Sequence, residues 1–127
     1  MSALRDPMKR ARGLGSARHG VQHFMIQRIT ALALIVLTTW FLVVVLRLLG
    51  TDYQTARLTL AEPFNATLMI AFVVAVFWHG QLGLQVIIED YVHAPWLQQT
   101  LQIAVKFLCF IAGVAAVLAV LRVALGS

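Results

Sequence analysis

Charge is scarce in this chain. Lys and Arg number 10 and Asp and Glu only 5 among 127 residues, 12% in all, about half the share of an ordinary soluble domain. A soluble fold needs polar side chains to cover its outer faces, and most of that cover is missing. A disordered chain and a coiled coil are excluded on the same ground, since both are rich in charge. Cysteine is nearly absent as well. Cys109 stands alone, so this chain by itself can build neither an intramolecular disulfide nor a cysteine metal site. There is no internal repeat and no low-complexity segment. The length allows a single domain, 1–127.

What the chain has in quantity is hydrocarbon. Hydrophobic residues make up 61% and the mean hydropathy is +0.85. A membrane-crossing helix takes about 20 mostly apolar residues, and three stretches meet that length. The first, 29–46, carries no charge and extends past Arg47 to Leu49. The second, 66–88, carries none. The third, about 101–125, carries only Lys106 and Arg122. Those two read as end residues whose long stems reach the headgroups. Helices of a soluble bundle would show polar faces at a 3.6 period, whereas 31–46 offers only Thr38, Thr39 and Trp40 as polar atoms. A cleaved signal has an apolar core of about 7–15 residues and a small-residue cleavage site. The first run is longer and meets Arg47, so it is expected to be retained.

The expected fold is therefore all-α and integral to the membrane. A basic tail, 1–25, precedes transmembrane helices at about 26–49, 65–90 and 98–125. Residues 50–62 read as a polar connection, and Asn65 as the N-cap of the second helix after Pro63. Pro95 marks a break or the start of the third helix, and Tyr91 and Trp96 suit an interface belt. Arg5, Lys9, Arg10, Arg12, Arg18 and Arg28 precede the first span, the 50–64 loop holds only Arg57, and 89–100 holds no Lys or Arg. The positive-inside rule then places the N-terminus and 89–100 inside and the 50–64 loop and C-terminus outside. The tail serves as a topology signal that favours anionic lipid, or as a docking surface for a soluble partner. It carries no fold around its charges with which to bind nucleic acid.

Ionisable groups at bilayer depth mark function by default, and His79 is the one that sits well inside a span. It lies 14 residues from Asn65 and 11 from Asp90, about 21 and 16 Å along a helix. Eleven residues end about 20° beyond three full turns. His79, Gly83, Val86 and Asp90 thus share one stripe. Gly83 and Gly80 remove side-chain bulk beside the imidazole, so a large planar group can approach the backbone, as an axial haem ligand requires. A proton relay and a histidine that merely packs against a carbonyl or another helix stand as alternatives. The first and third spans hold no His, Met or Cys at that depth other than Cys109, an isolated thiol that reads as packing. A six-coordinate haem would need its second ligand from another chain.

The same helix ends in Gln81, Gln85, Glu89, Asp90 and Tyr91. A quinone head group needs donors for its two carbonyl oxygens, and its reduction consumes two protons. A tyrosine beside an acid at the membrane boundary suits that chemistry. Ordinary helix-end acids and a belt tyrosine fit the same residues. Arg28 reads either as a partner for a haem propionate or as the last topology charge. His19 and His23 read as surface or interface residues.

The pattern of His79, eleven residues to Asp90, then Tyr91 resembles the second helix of succinate dehydrogenase hydrophobic membrane anchor subunits. The segment runs from His79-Gly80-Gln81-Leu82-Gly83 through Val86 to Glu89-Asp90-Tyr91-Val92. Gly15-Ser16-Ala17, Gly20, His23-Phe24 and Gln27-Arg28-Ile29-Thr30-Ala31 are similar to the front of that family. The likeness covers nearly the whole chain. It implies a subunit of complex II, alongside a flavoprotein subunit, an iron–sulfur subunit and a cytochrome b556 membrane subunit. Such a complex oxidises succinate and passes electrons to quinone. By this resemblance His79 is a haem b ligand, with the second ligand on the cytochrome subunit. Tyr91 hydrogen-bonds quinone, Asp90 is its acidic neighbour, and Arg28 lies near the haem propionates. The expected location is a bacterial inner (plasma) membrane. The alternatives are a fumarate reductase anchor and a non-catalytic three-span assembly or scaffold protein.

Overall fold

The computed structural model describes residues 17–126, with side chains from Gly20 onward. It has four helices: α1 (Ala17–Leu48), α2 (Tyr53–Ala61), α3 (Pro63–Tyr91) and α4 (Pro95–Ala124). Among the described residues, α3, α4 and the Gly20–Leu48 part of α1 are long and apolar enough to cross a membrane. Arg5, Lys9, Arg10, Arg12 and the start of the Gly15-Ser16-Ala17 motif lie outside the described residues, as do the side chains of Arg18 and His19.

Helix boundaries and apolar boundaries differ, because backbone hydrogen bonding is local while hydropathy reports only where hydrocarbon begins. α1 starts at Ala17, well ahead of the 26 expected from hydropathy. It ends where Gly50 adopts φ 81°, the left-handed position that a helix C-terminus favours and that glycine tolerates. The 50–62 connection contains α2, which sequence reading missed. Asp52 caps it, with Oδ2 accepting from the backbone N–H of Gln54 at 3.1 Å and of Thr55 at 3.3 Å. That geometry holds the Asp52 carboxyl below its ordinary pKa, the Thr55 hydroxyl and amide bonds being the main cause.

Asn65 is not the cap of α3. Pro63 takes the first helical position and Glu62 precedes it, since proline's missing N–H is no loss there. Asn65 Nδ2 instead donates to Thr59 O at 2.9 Å and Glu62 Oε2 at 3.2 Å, tying the end of α2 to the start of α3. Pro95 opens α4 in the same way. This early start corrects the placement of Lys106. It lies 11 residues along α4, about 16 Å from that end, and not at the margin of a span.

α3 lies between α1 and α4, and α2 rests on α3 and α4. Among the described residues the buried apolar side chains are Ala66, Ala75, Leu82 and Ile88 of α3 and Val44 of α1. Ala66 and Ala75 are nine residues apart, half a turn in angle, as suits a helix packed on two sides. Small residues there let backbones approach closely. Phe41 of α1 stacks on Phe72 of α3 with centroids 4.8 Å apart. Gly113 of α4 leaves room for Phe77, which a Cβ would meet at 3.6 Å. The outer faces expose large apolar residues such as Leu32, Val36, Phe107 and Phe110, a surface suited to lipid or other membrane chains.

Candidate functional site

His79 lies 16 residues from Pro63 and 12 from Tyr91, well within the length of α3. Its Nδ1 is 3.0 Å from Oγ1 of Thr30 on α1. The same hydroxyl reaches back to Ile26 O at 2.9 Å and Gln27 O at 3.0 Å. Nε2 of His79 has no hydrogen-bond partner among the described residues. The imidazole is half-buried, held on one edge and free on the other. A Cβ added to Gly80 or Gly83 would meet no atom within 4 Å. The glycine gaps are thus present, and they open on the outside of this chain rather than into an enclosed cavity. A planar group resting there would need a second wall from elsewhere.

Thr30 and His79 define a common level, and Arg28 lies two residues from it, about 3 Å along the axis. It therefore sits 11 residues inside α1 and not at its start. Its guanidinium lies 4.7 Å from the centroid of the Phe24 ring, a cation–π contact within one helix. The side chain is exposed.

Asp90 and Tyr91 end α3, both exposed, Tyr91 by 80%. Adjacent helical residues point about 100° apart, and neither side chain hydrogen-bonds to a described residue. The fold brings Thr30 to His79 but leaves Asp90 and Tyr91 unattached to each other. Twelve residues separate Tyr91 from His79, about 18 Å.

The remaining polar residues at that end have a packing role. Gln81 Nε2 donates to Gln85 Oε1 at 3.5 Å and Gln85 Nε2 to Glu89 Oε1 at 2.9 Å. Gln102 Nε2 of α4 reaches the same Glu89 oxygen at 3.3 Å. Glu89 thereby ties α4 to the end of α3 that carries Asp90 and Tyr91. Cys109 is half-buried in an apolar groove of about 450 Å³ between α3 and α4, beside Phe77, Trp78 and Gly113.

The sequence reading includes Gln27 and Thr30 in the front motif but gives neither a role. With His23 they stand at spacings of four and three, one face of a helix. That periodicity was the available signal for a polar stripe facing inward. His23 Nε2 and Gln27 Oε1 are buried atoms without a partner among the described residues.

Residues 2–120 match the family of succinate dehydrogenase/fumarate reductase transmembrane subunits. The chain is 35% identical over 117 residues to the succinate dehydrogenase hydrophobic membrane anchor subunit of Rickettsia bellii, covering 92% of this chain and 94% of the relative. It is 34% identical over 121 residues to the protein of the same name from Paracoccus denitrificans, covering 95% and 93%. The Rickettsia conorii protein of that name is 34% identical over 111 residues, covering 87% and 88%. No solved structure matches the chain.

Proposed function

This chain belongs to the succinate dehydrogenase/fumarate reductase transmembrane subunit family, and we propose that in its complex it supplies one haem b ligand and part of a quinone-reduction site. It is a multi-pass membrane-anchor subunit of that class. The reading rests on one observation above others. His79 stands within a span with Nε2 unpartnered among the described residues, beside two glycines whose surface is open. Among the described residues nothing else contacts that surface, so the planar group fits between this chain and another, the cytochrome b556 subunit, which would give the second axial ligand. A haem held there supplies a one-electron redox centre within the membrane. Arg28, near that level and exposed, is placed to meet a propionate by a charge-assisted hydrogen bond.

Tyr91 and Asp90 form the second part of the proposal. Tyr91 offers a phenolic donor for a quinone carbonyl at the end of α3, and Asp90 a carboxylate that exchanges protons with water. With the N-terminus inside, this end faces the cytoplasm, where the iron–sulfur and flavoprotein subunits dock. Electrons from succinate and protons from water then arrive at one boundary. The names of the bacterial relatives favour succinate oxidation over the fumarate reductase direction, and a bacterial inner membrane as the location.

The test is purification in mild detergent followed by a reduced-minus-oxidised spectrum. Three further chains and a low-spin haem b are expected to accompany this one. Isolation without haem and without a flavoprotein would leave only the scaffold reading.

A further inference from the structure

We propose that Thr30 is a positioning residue that sets the tautomer of His79, so that Nε2 presents its lone pair to a metal. The inference rests on the haem reading of His79 and adds a residue to it. A threonine hydroxyl has one proton and two lone pairs. In a helix that hydroxyl commonly bonds back to the carbonyl three or four residues earlier, and Thr30 has both acceptors in reach, Ile26 O at 2.9 Å and Gln27 O at 3.0 Å. Both are acceptors only. The hydroxyl proton is therefore committed to α1, and the lone pairs of Oγ1 face His79 Nδ1 at 3.0 Å. Nδ1–H donating to Oγ1 satisfies every group. The opposite arrangement turns the hydroxyl proton away from two carbonyls and puts the imidazole proton on Nε2, where it blocks metal binding. One hydrogen-bonding residue on the partner helix thus selects the ligand-competent form. The bond also holds the ring plane, because α1 and α3 meet at this point.

A hydrogen bond from the remote ring nitrogen makes an imidazole a stronger donor to its metal. It favours the ferric state, so losing it should raise the haem midpoint potential.

The experiment uses the purified complex with Thr30→Val, which keeps the shape and removes the hydroxyl, Thr30→Ser, which keeps the hydroxyl, and His79→Leu. Thr30→Val is expected to raise the midpoint potential, shift the low-spin electron paramagnetic resonance signal, and weaken haem retention by about tenfold, the low end for loss of such a partner. Thr30→Ser is expected to restore all three. An unchanged potential and signal in Thr30→Val, or equal changes in Val and Ser, overturns the proposal. Should Thr30→Val fail to assemble while Thr30→Ser and His79→Leu assemble, the hydroxyl serves the helix seam and the proposal also fails. A wild-type low-spin spectrum in His79→Leu would instead sink the haem reading itself.

Discussion

α3 carries two chemically interesting places, and the fold treats them differently. At His79 the chain fixes one edge of the imidazole through Thr30 and leaves the other edge and the neighbouring glycines open. At Asp90 and Tyr91 it fixes only the backbone. Glu89 ties α3 to Gln102 of α4, but the phenol and the carboxylate beside it have no partner among the described residues. A metal ligand must have one tautomer and one ring plane before its metal arrives. A donor to a diffusing quinone needs to be reachable, and other subunits can complete its surroundings. Each place thus carries the degree of order its proposed chemistry requires.

The largest effect should come from His79→Leu, which removes the candidate ligand at that level. The low-spin haem b spectrum should change fundamentally or vanish, while dye-linked succinate oxidation continues on the flavoprotein. Quinone reduction need not disappear. If quinone kinetics at Tyr91 collapse together with the haem, the two places are one site and the contrast breaks.

Tyr91→Phe keeps the ring and deletes the donor. A lost hydrogen bond amounts to about 0.5–1.5 kcal/mol net, and the effect on rate should exceed that on binding if the bond strengthens as charge develops on the quinone oxygen. Quinone-linked succinate oxidation should fall while dye-linked oxidation and the haem potential hold. Unchanged quinone kinetics and inhibitor sensitivity would reduce Tyr91 to an interface aromatic.

Glu89→Ala sharpens the contrast further. It removes the acceptor shared by Gln85 and Gln102, an exposed contact with a helix-pair magnitude of about 0.2–0.5 kcal/mol. Hydrogen exchange at residues 92–98 should quicken and inhibitor binding should weaken slightly, with the spectrum of the haem untouched. A shift in haem potential would mean that the end of α3 is coupled to its middle.

The smallest expected effect lies at Asp52, remote from both places. Its carboxyl pKa is lowered by the bonds that cap α2. A lowered folded pKa means that this contribution is present above the ordinary aspartate range and is lost as pH falls through the folded value. Amide exchange at Gln54 and Thr55 should quicken in acid relative to an uncapped helix, and Asp52→Asn should flatten that dependence. No change in haem or quinone readouts should accompany it.

Much of this protein was legible one-dimensionally. The three apolar runs required helices, since lipid leaves backbone polar groups no other partner than their own helix. His79 stood out because an ionisable group at that depth is costly, and Tyr91 because of its place after an acid at a helix end. Composition misjudged the ends, however. Residues 17–25, ahead of the apolar run, continue α1 and residues 53–61 form α2, because helix propagation depends on local bonds and not on hydropathy. Pro63 displaced Asn65 from the cap for the same kind of local reason.

The amino-acid order alone therefore determined how many helices are long and apolar enough to cross a membrane, what solvent they face, and which residues carry unusual chemistry in each. Only the tertiary structure decided which of those residues meet. Thr30 and His79 are 49 positions apart, and nothing in either helix specifies the axial register that brings hydroxyl to imidazole. That register follows from side chains on both helices, among them the stacked Phe41 and Phe72 and the buried alanines of α3. Packing is a joint property of two surfaces, so it cannot be read along one of them.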